Sequence, residues 1–281
     1  MADKKHFMEQ LIQRFQIEFA KNDRSGVYAY TQRLLAYNSN RIEGSTLTEK
    51  QTASLFDTGL LSSEDAPIRA KDVEEMTGHF LMFNDMLTTY KQPLSHELIK
   101  EYHFKLKSGV FEDIANGYPI GEYKNRRNIV SNITTALPEE VSARMTELLE
   151  WYNAVPNPTL LDLTRLHVEY ETIHPFQDGN GRTGRIILFK ECLKNGIIPF
   201  IISDARKQEY YFLLNKAQTE KVYEPLEAFF LSEQKIYEEL MRGFIMPASH
   251  QLEKDIIAEA QQKAAELLQR EPEDPALGHR R

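Results

Sequence analysis

Residues 68–90 place Ile68, Val73, Met76, Phe80, Phe83 and Leu87 at steps of three, four and five, which lines up one apolar face of a long helix. Such a stripe is unstable in water and needs another helix against it. Similar spacing predicts helices near 3–20, 25–43, 48–57, 139–153, 159–172, 180–194, 204–218 and 224–243, and Ser95 followed by His96, Glu97 and Leu98 reads as an N-cap whose helix stops near Gly109. The chain is therefore expected to be all-α. The exception is 117–138, where Gly117, Pro119, Gly121 and Pro138 bracket Ile129, Val130 and Ile133, and a β-hairpin is the predicted element. Two strands are marginal alone, so it should lie on the helical body as a flap. Beyond Pro247 one more helix is expected, ending in a frayed EPEDPALGHRR tail. This divides the chain into an N-terminal helical region over 1–60, a central core over 61–246 and a C-terminal helix and tail over 247–281.

Composition narrows the class. With 41% apolar residues and 27% charged, the 281 residues can bury a substantial core, and a formal charge of −8 argues against a surface devoted to nucleic acid. The single cysteine, Cys192, cannot form an internal disulfide, the start MADKKHFMEQLIQRFQ lacks a signal-peptide core, and the densest apolar run, IIPFII at 197–202, is too short for a membrane span. The expected setting is the cytoplasm, with no membrane contact.

Residues 174–185 read HPFQDGNGRTGR between two predicted helices, so this loop feeds a helix N-terminus. Free amide groups and the positive end of the helix dipole bind anions there. Gly179 and Gly181 let the backbone approach a ligand, Asn180 tolerates unusual dihedrals, and Arg182 and Arg185 add charged donors at i, i+3 spacing suited to a polyphosphate. Asp178 offers a hard oxygen for Mg²⁺, and His174 is a base with an ordinary pKa near 6.5. A turn and a capping histidine explain single members of this group. They do not explain a base, an acidic ligand, two glycines and two arginines in one run.

HPFQDGNGRTGR matches throughout the signature of the Fic (filamentation induced by cAMP) family of protein adenylyltransferases, and this chain resembles that family over roughly residues 30 to 230. The resemblance implies a Fic-type helical bundle with a small hairpin flap, its catalytic core over 61–246. It also implies Mg-ATP as co-substrate and transfer of AMP to a Ser, Thr or Tyr hydroxyl of a target protein, the chain itself included. On these residues His174 is the general base, Asp178 the Mg²⁺ ligand and Phe176 the anchor of the loop. Gly179, Asn180 and Gly181 form the anion cradle, and Arg182 and Arg185 hold the distal phosphates. GEYKNRRNIVSN at 121–132 resembles the family's flap, which puts Ile129 and Val130 against the target's backbone, with Lys124 where Arg is frequent. SDARKQEYYFLLNKAQ at 203–218 resembles the helix beside the nucleobase, with Tyr211 and Gln218 toward adenine and Gln218 replacing a common Asn. NSNRIEG at 38–44 matches the inhibitory pattern through Ser39, Glu43 and Gly44. Ser39 and Glu43 share a helix face, and Gly44 ends that helix. The resemblance then has Glu43 pairing with Arg185 where the γ-phosphate would sit. Relatives include dimers. Open alternatives are removal of AMP, transfer of another phosphate-containing group, and a catalytically silent helical adaptor.

Overall fold

The computed structural model describes residues 2–61, 67–128 and 133–245. Its helices in chain order are α1 (Ala2–Ala20), α2 (Val27–Ile42), α3 (Glu49–Thr58), α4 (Ala70–Thr89), α5 (His96–Lys107), α6 (Phe111–Ala115), α7 (Pro138–Asn153), α8 (Leu160–Ile173), α9 (Asn180–Lys194), α10 (Lys207–Glu220) and α11 (Glu224–Ile245), with a 3₁₀ turn Asp204–Arg206 before α10. Their starts are written locally. Thr48 and Thr159 form capping boxes with Gln51 and Asp162, Ser95 accepts the Leu98 N–H, and Pro138 occupies the first turn of α7, where a missing N–H costs nothing.

One apolar cluster runs through the helices, from Phe7 on α1 to Ile245 on α11. Its centre is α9, whose residues from Ile186 to Leu193 are all buried, with α8, α4, α5 and α2 packed around it. Because α9 is enclosed, a polar loop at its start is fixed to the most rigid part of the molecule. Among the described residues no helix is long and apolar enough to cross a membrane.

The hairpin expected over 117–138 is not found in its described part. Residues 117–128 and 133–137 are turns, bends and extended coil with one isolated bridge residue, Ile133. The backbone instead pairs with the loop after α8: Lys124 N–H donates to Pro175 O at 2.8 Å and Ala136 N–H to Ile173 O at 3.2 Å. Ile129 and Val130 lie outside the described residues, as do the helix and tail expected beyond Pro247.

Three histidines are sealed into the body. Burial holds His79, His103 and His167 down to about 3, and Arg185 and Arg182 beside His79 push the same way. Their folded pKa values lie below the unfolded value near 6.5, so the unfolded chain binds more protons between those limits and stability falls as pH drops through that window. Between pH 6.5 and 5 each histidine contributes a loss on the order of 2 kcal/mol. Tm is accordingly expected to fall by roughly 10 °C or more over that interval. Thermal unfolding followed by circular dichroism checks this, and a flat profile would contradict it.

Candidate active site

The loop between α8 and α9 is held from several sides. His174 ends α8 in the left-handed region, φ 53° and ψ 64°, with its N–H donating to Tyr170 O. A non-glycine residue adopts that conformation only where its surroundings hold it. Phe176 is fully buried and stacks on the His103 ring at 3.9 Å between centroids. The Gly121 N–H donates to His103 Nδ1 at 2.9 Å, so the ring carries its proton on Nε2, which donates to Asp178 O at 3.0 Å. The Asn180 amide closes the turn, accepting from Phe176 N–H at 2.7 Å and donating to Phe176 O at 2.8 Å. Asn180 thus shapes the cradle without facing a ligand, because both ends of its side chain are already bonded.

Above the start of α9 lies a pocket of about 600 Å³, a volume suited to a small organic ligand. His174, Gly181, Arg185, Glu43, Tyr211 and Gln218 all line it. Six of the residues singled out in the sequence, drawn from three separate segments, therefore meet at one cavity. The Glu43 carboxylate is 2.7 Å from the Arg185 guanidinium, whose Nε donates to Ser39 Oγ and whose NH2 group donates to Ser39 O, each at 2.9 Å. It also packs so closely on Gly181 that a Cβ there would collide with it. A carboxylate thus occupies the anion position at the helix start. Tyr211 donates its hydroxyl to Ile42 O at 3.2 Å, tying α10 to the end of α2. Tyr210 is a core residue whose hydroxyl bonds His167 at 2.8 Å.

Other residues stand differently from the simple reading. Arg182 is buried and turned away from the pocket, at 2.6 Å from Glu75 and 3.3 Å from Asn40, so Arg185 is the arginine that lines the cavity. The i, i+3 spacing put both arginines on one side of α9, where both reach α2, but Arg182 also extends to Glu75 on α4. Asp178 lies beside the pocket and is partly exposed, with Lys107 Nζ at 2.8 Å and Lys71 Nζ at 3.8 Å from Oδ2. Its Oδ1 accepts the Gly179 N–H at 2.7 Å, which removes that amide from the cradle. Burial opposes the Asp178 charge, but Arg182 and Lys107 outweigh it and hold the carboxyl well below the usual carboxylate range.

Asp178, Glu75 and Asp113 bring carboxylate oxygens within 4.8 Å of one another. Lys107 stands among them, 2.6 Å from Glu75 and 2.5 Å from Asp113, and Arg182 is a second cation on Glu75, so the inner pair already has charged partners. Asp178, at the exposed edge, is the member that fits a Mg²⁺ ion, which characteristically takes one or two carboxylates and completes its shell with water and phosphate.

Burial, reinforced by Lys124, lowers His174 to about 4, so the imidazole is neutral at ordinary pH and able to take a proton. Lys124 itself is buried and held down to about 8 by that burial, and its ammonium donates to Asn128 Oδ1 at 2.7 Å and Thr135 Oγ1 at 3.2 Å. It ties Asn128 and Thr135 to the end of α8 through Ile173 O, beside His174. His103, Lys107 and Glu171, another pocket residue, were missed by the sequence reading. Only Glu171 had a local signal, since three residues before His174 places it on the same helix face. Cys192 is buried within α9 with its thiol pushed up by burial, and acts as a packing residue.

The loop from His174 into the start of α9, backed by Arg185 inside a helical body, has counterparts among known proteins. Residues 93–191 match the Fic/DOC family. The protein adenylyltransferase Fic of Nematostella vectensis is 26% identical over 195 residues, covering 67% of this chain and 43% of that protein. Protein adenylyltransferase fic-1 of Caenorhabditis elegans is 26% identical over 190 residues, 66% of this chain and 36% of the relative. The chain thus spans less than half the length of these curated relatives. A Fic domain containing signaling protein from Bacteroides thetaiotaomicron superposes with a TM-score of 0.70 at 25% identity, covering 86% of this chain and 98% of that one. The Caenorhabditis elegans Fic-1 structure shares the fold with a TM-score of 0.63 at 19% identity, over 86% of this chain and 72% of its own.

Proposed function

We propose that this protein transfers AMP from Mg-ATP to a hydroxyl of a protein substrate, itself included, with His174 as the general base. The observation that carries the reading is the meeting of a neutral His174, the start of α9 at Gly181 and the Arg185 guanidinium in one pocket of about 600 Å³. The substrate oxygen attacks the α-phosphorus while His174 takes its proton; the new P–O bond forms as the bond to the departing pyrophosphate breaks. The free amides of the first turn of α9 and Arg185 offset the charge that builds on the phosphates. Asp178 would hold Mg²⁺, which when bound neutralises phosphate charge and orients the leaving group. Arg182, committed to Glu75 and Asn40, adds positive potential from below the loop. Tyr211 and Gln218 line the outer part of the pocket, where an adenine would lie.

Glu43 restrains this reaction in the proposed scheme. Its carboxylate and a terminal phosphate ask for the same guanidinium and the same helix start, so nucleotide enters with Glu43 in place only in a displaced pose. Incubation with α-labelled and γ-labelled ATP tests the activity: the α-label should become protein-bound and the γ-label should not. Protein-bound γ-label would instead mean phosphoryl transfer, and neither label even in the Glu43→Gly chain would mean an adaptor. Because Glu43 and His174 share the pocket, the reverse reaction, with Glu43 aligning a water, is the second reading; loss of AMP from a pre-labelled substrate measures it.

A further inference from the structure

Glu171 belongs to no step described above, although it lines the same pocket. It sits one turn before His174 on α8, 7% exposed, with Oε2 3.8 Å from His174 Nδ1. Neither His174 Nδ1 nor Glu171 Oε1 has a hydrogen bond of good geometry, although both atoms are buried; the Glu171 backbone is the other group that acts on the ring. A carboxylate is expensive to bury in that condition. The neighbouring helix makes room for it: a Cβ on Gly184 of α9 would collide with Oε1 and crowd the Tyr170 ring. The next glycine of the HPFQDGNGRTGR run after the cradle therefore seats a carboxylate.

We propose that Glu171 is a positioning residue for His174: its carboxylate accepts the Nδ1 proton, keeps the Nε2 lone pair toward the pocket, and offsets the charge of the ring once it has taken the substrate's proton. The inference rests on the reading of His174 as base. The gap of 3.8 Å is longer than a hydrogen bond and closes with a small rotation of either side chain, as catalytic contacts commonly do when substrate arrives. A carboxylate behind a histidine fixes the tautomer and stabilises the imidazolium in the same way in hydrolytic triads. The groups facing Glu171 are Tyr170 and His174 on its own helix, Arg185 on α9, Glu43 beyond α2, and Tyr210 and Tyr211 on α10. Burial holds the Glu171 carboxyl up to about 8, with Arg185 opposing and Glu43 adding to the rise. In a chain carrying Glu43→Gly that contribution is absent, which favours the ionised form before nucleotide binds.

The test uses Glu171→Gln, which keeps shape and loses charge, in the full chain carrying Glu43→Gly. The kcat of AMP transfer is expected to fall about 10- to 100-fold with KM for ATP within about twofold. A second readout needs no turnover. Ring ¹⁵N shifts of His174 at pH 9 should report the Nδ1–H tautomer in the parent and a shift toward Nε2–H in the Gln variant. A Gln variant that matches the parent in either kcat or tautomer overturns the proposal. His174→Ala serves as the control: if it still transfers AMP, the base assignment has failed, whereas a dead His174→Ala beside a fully active Glu171→Gln refutes the role of Glu171 alone.

Discussion

Replacing His174 by Ala is expected to lower the rate of AMP transfer by about 10² to 10⁴, the usual range for loss of a general base, while ATP still binds. The asymmetry follows from the division of labour around the pocket. In the proposed scheme phosphate recognition falls to Arg185 and the start of α9, neither of which bonds the imidazole, whereas the neutral ring takes the proton. Its low pKa adds a detail. Protonation is complete only well below pH 4, so above pH 5 the parent should show no loss of rate from titration of His174 itself. Transfer rates with calorimetric ATP affinities separate the two contributions. A variant that retains a comparable rate would make His174 structural and remove the mechanism.

The opposite sign is expected at Glu43. Glu43→Gly should raise AMP transfer by roughly 5- to 150-fold if the blocked arrangement is favoured by about 1 to 3 kcal/mol, a common size for regulatory coupling. Removing the carboxylate leaves Arg185 bound to Ser39 through Nε and NH2, so the guanidinium stays in place with its Glu43-facing side available to phosphate. Space is also released against Gly181, where the carboxylate now packs. Self-modification measured by label incorporation is a sufficient readout. A Gly variant no faster than its parent would reduce the Glu43–Arg185 pair to an ordinary helix-end contact.

The helices were readable because most carry one wet and one dry side, and capping residues such as Thr48, Ser95 and Thr159 mark their beginnings within the chain itself. The pocket was readable for a different reason: a base, glycines and arginines compressed into a single loop leave few structural explanations. What escaped depends on partners distant in sequence. Lys107 resembles any helix-end lysine until Glu75, Asp113 and Asp178 close on it, and Arg182 resembles a ligand-binding arginine until α4 supplies Glu75. The 117–138 segment carries the glycines and β-branched residues of a hairpin, yet its described backbone bonds the loop after α8 through Lys124 and Ala136. In the described part of that segment, bonds to the loop after α8 stand where cross-strand pairing was expected.

The order of the pairing partners along the chain bears on how the protein is made. Glu43 precedes Arg185 by 142 residues, and chains emerge and begin to fold from the N-terminus. The helix bearing the carboxylate is therefore synthesised before the arginine it covers exists. When α9 settles between α2 and α8, Ser39 and Glu43 are already available to receive it, and the newborn site closes over its own cover. If Glu43 restrains the site as proposed, chain order supplies the cover before the site, and the unrestrained form is reached by displacing Glu43 from a finished fold.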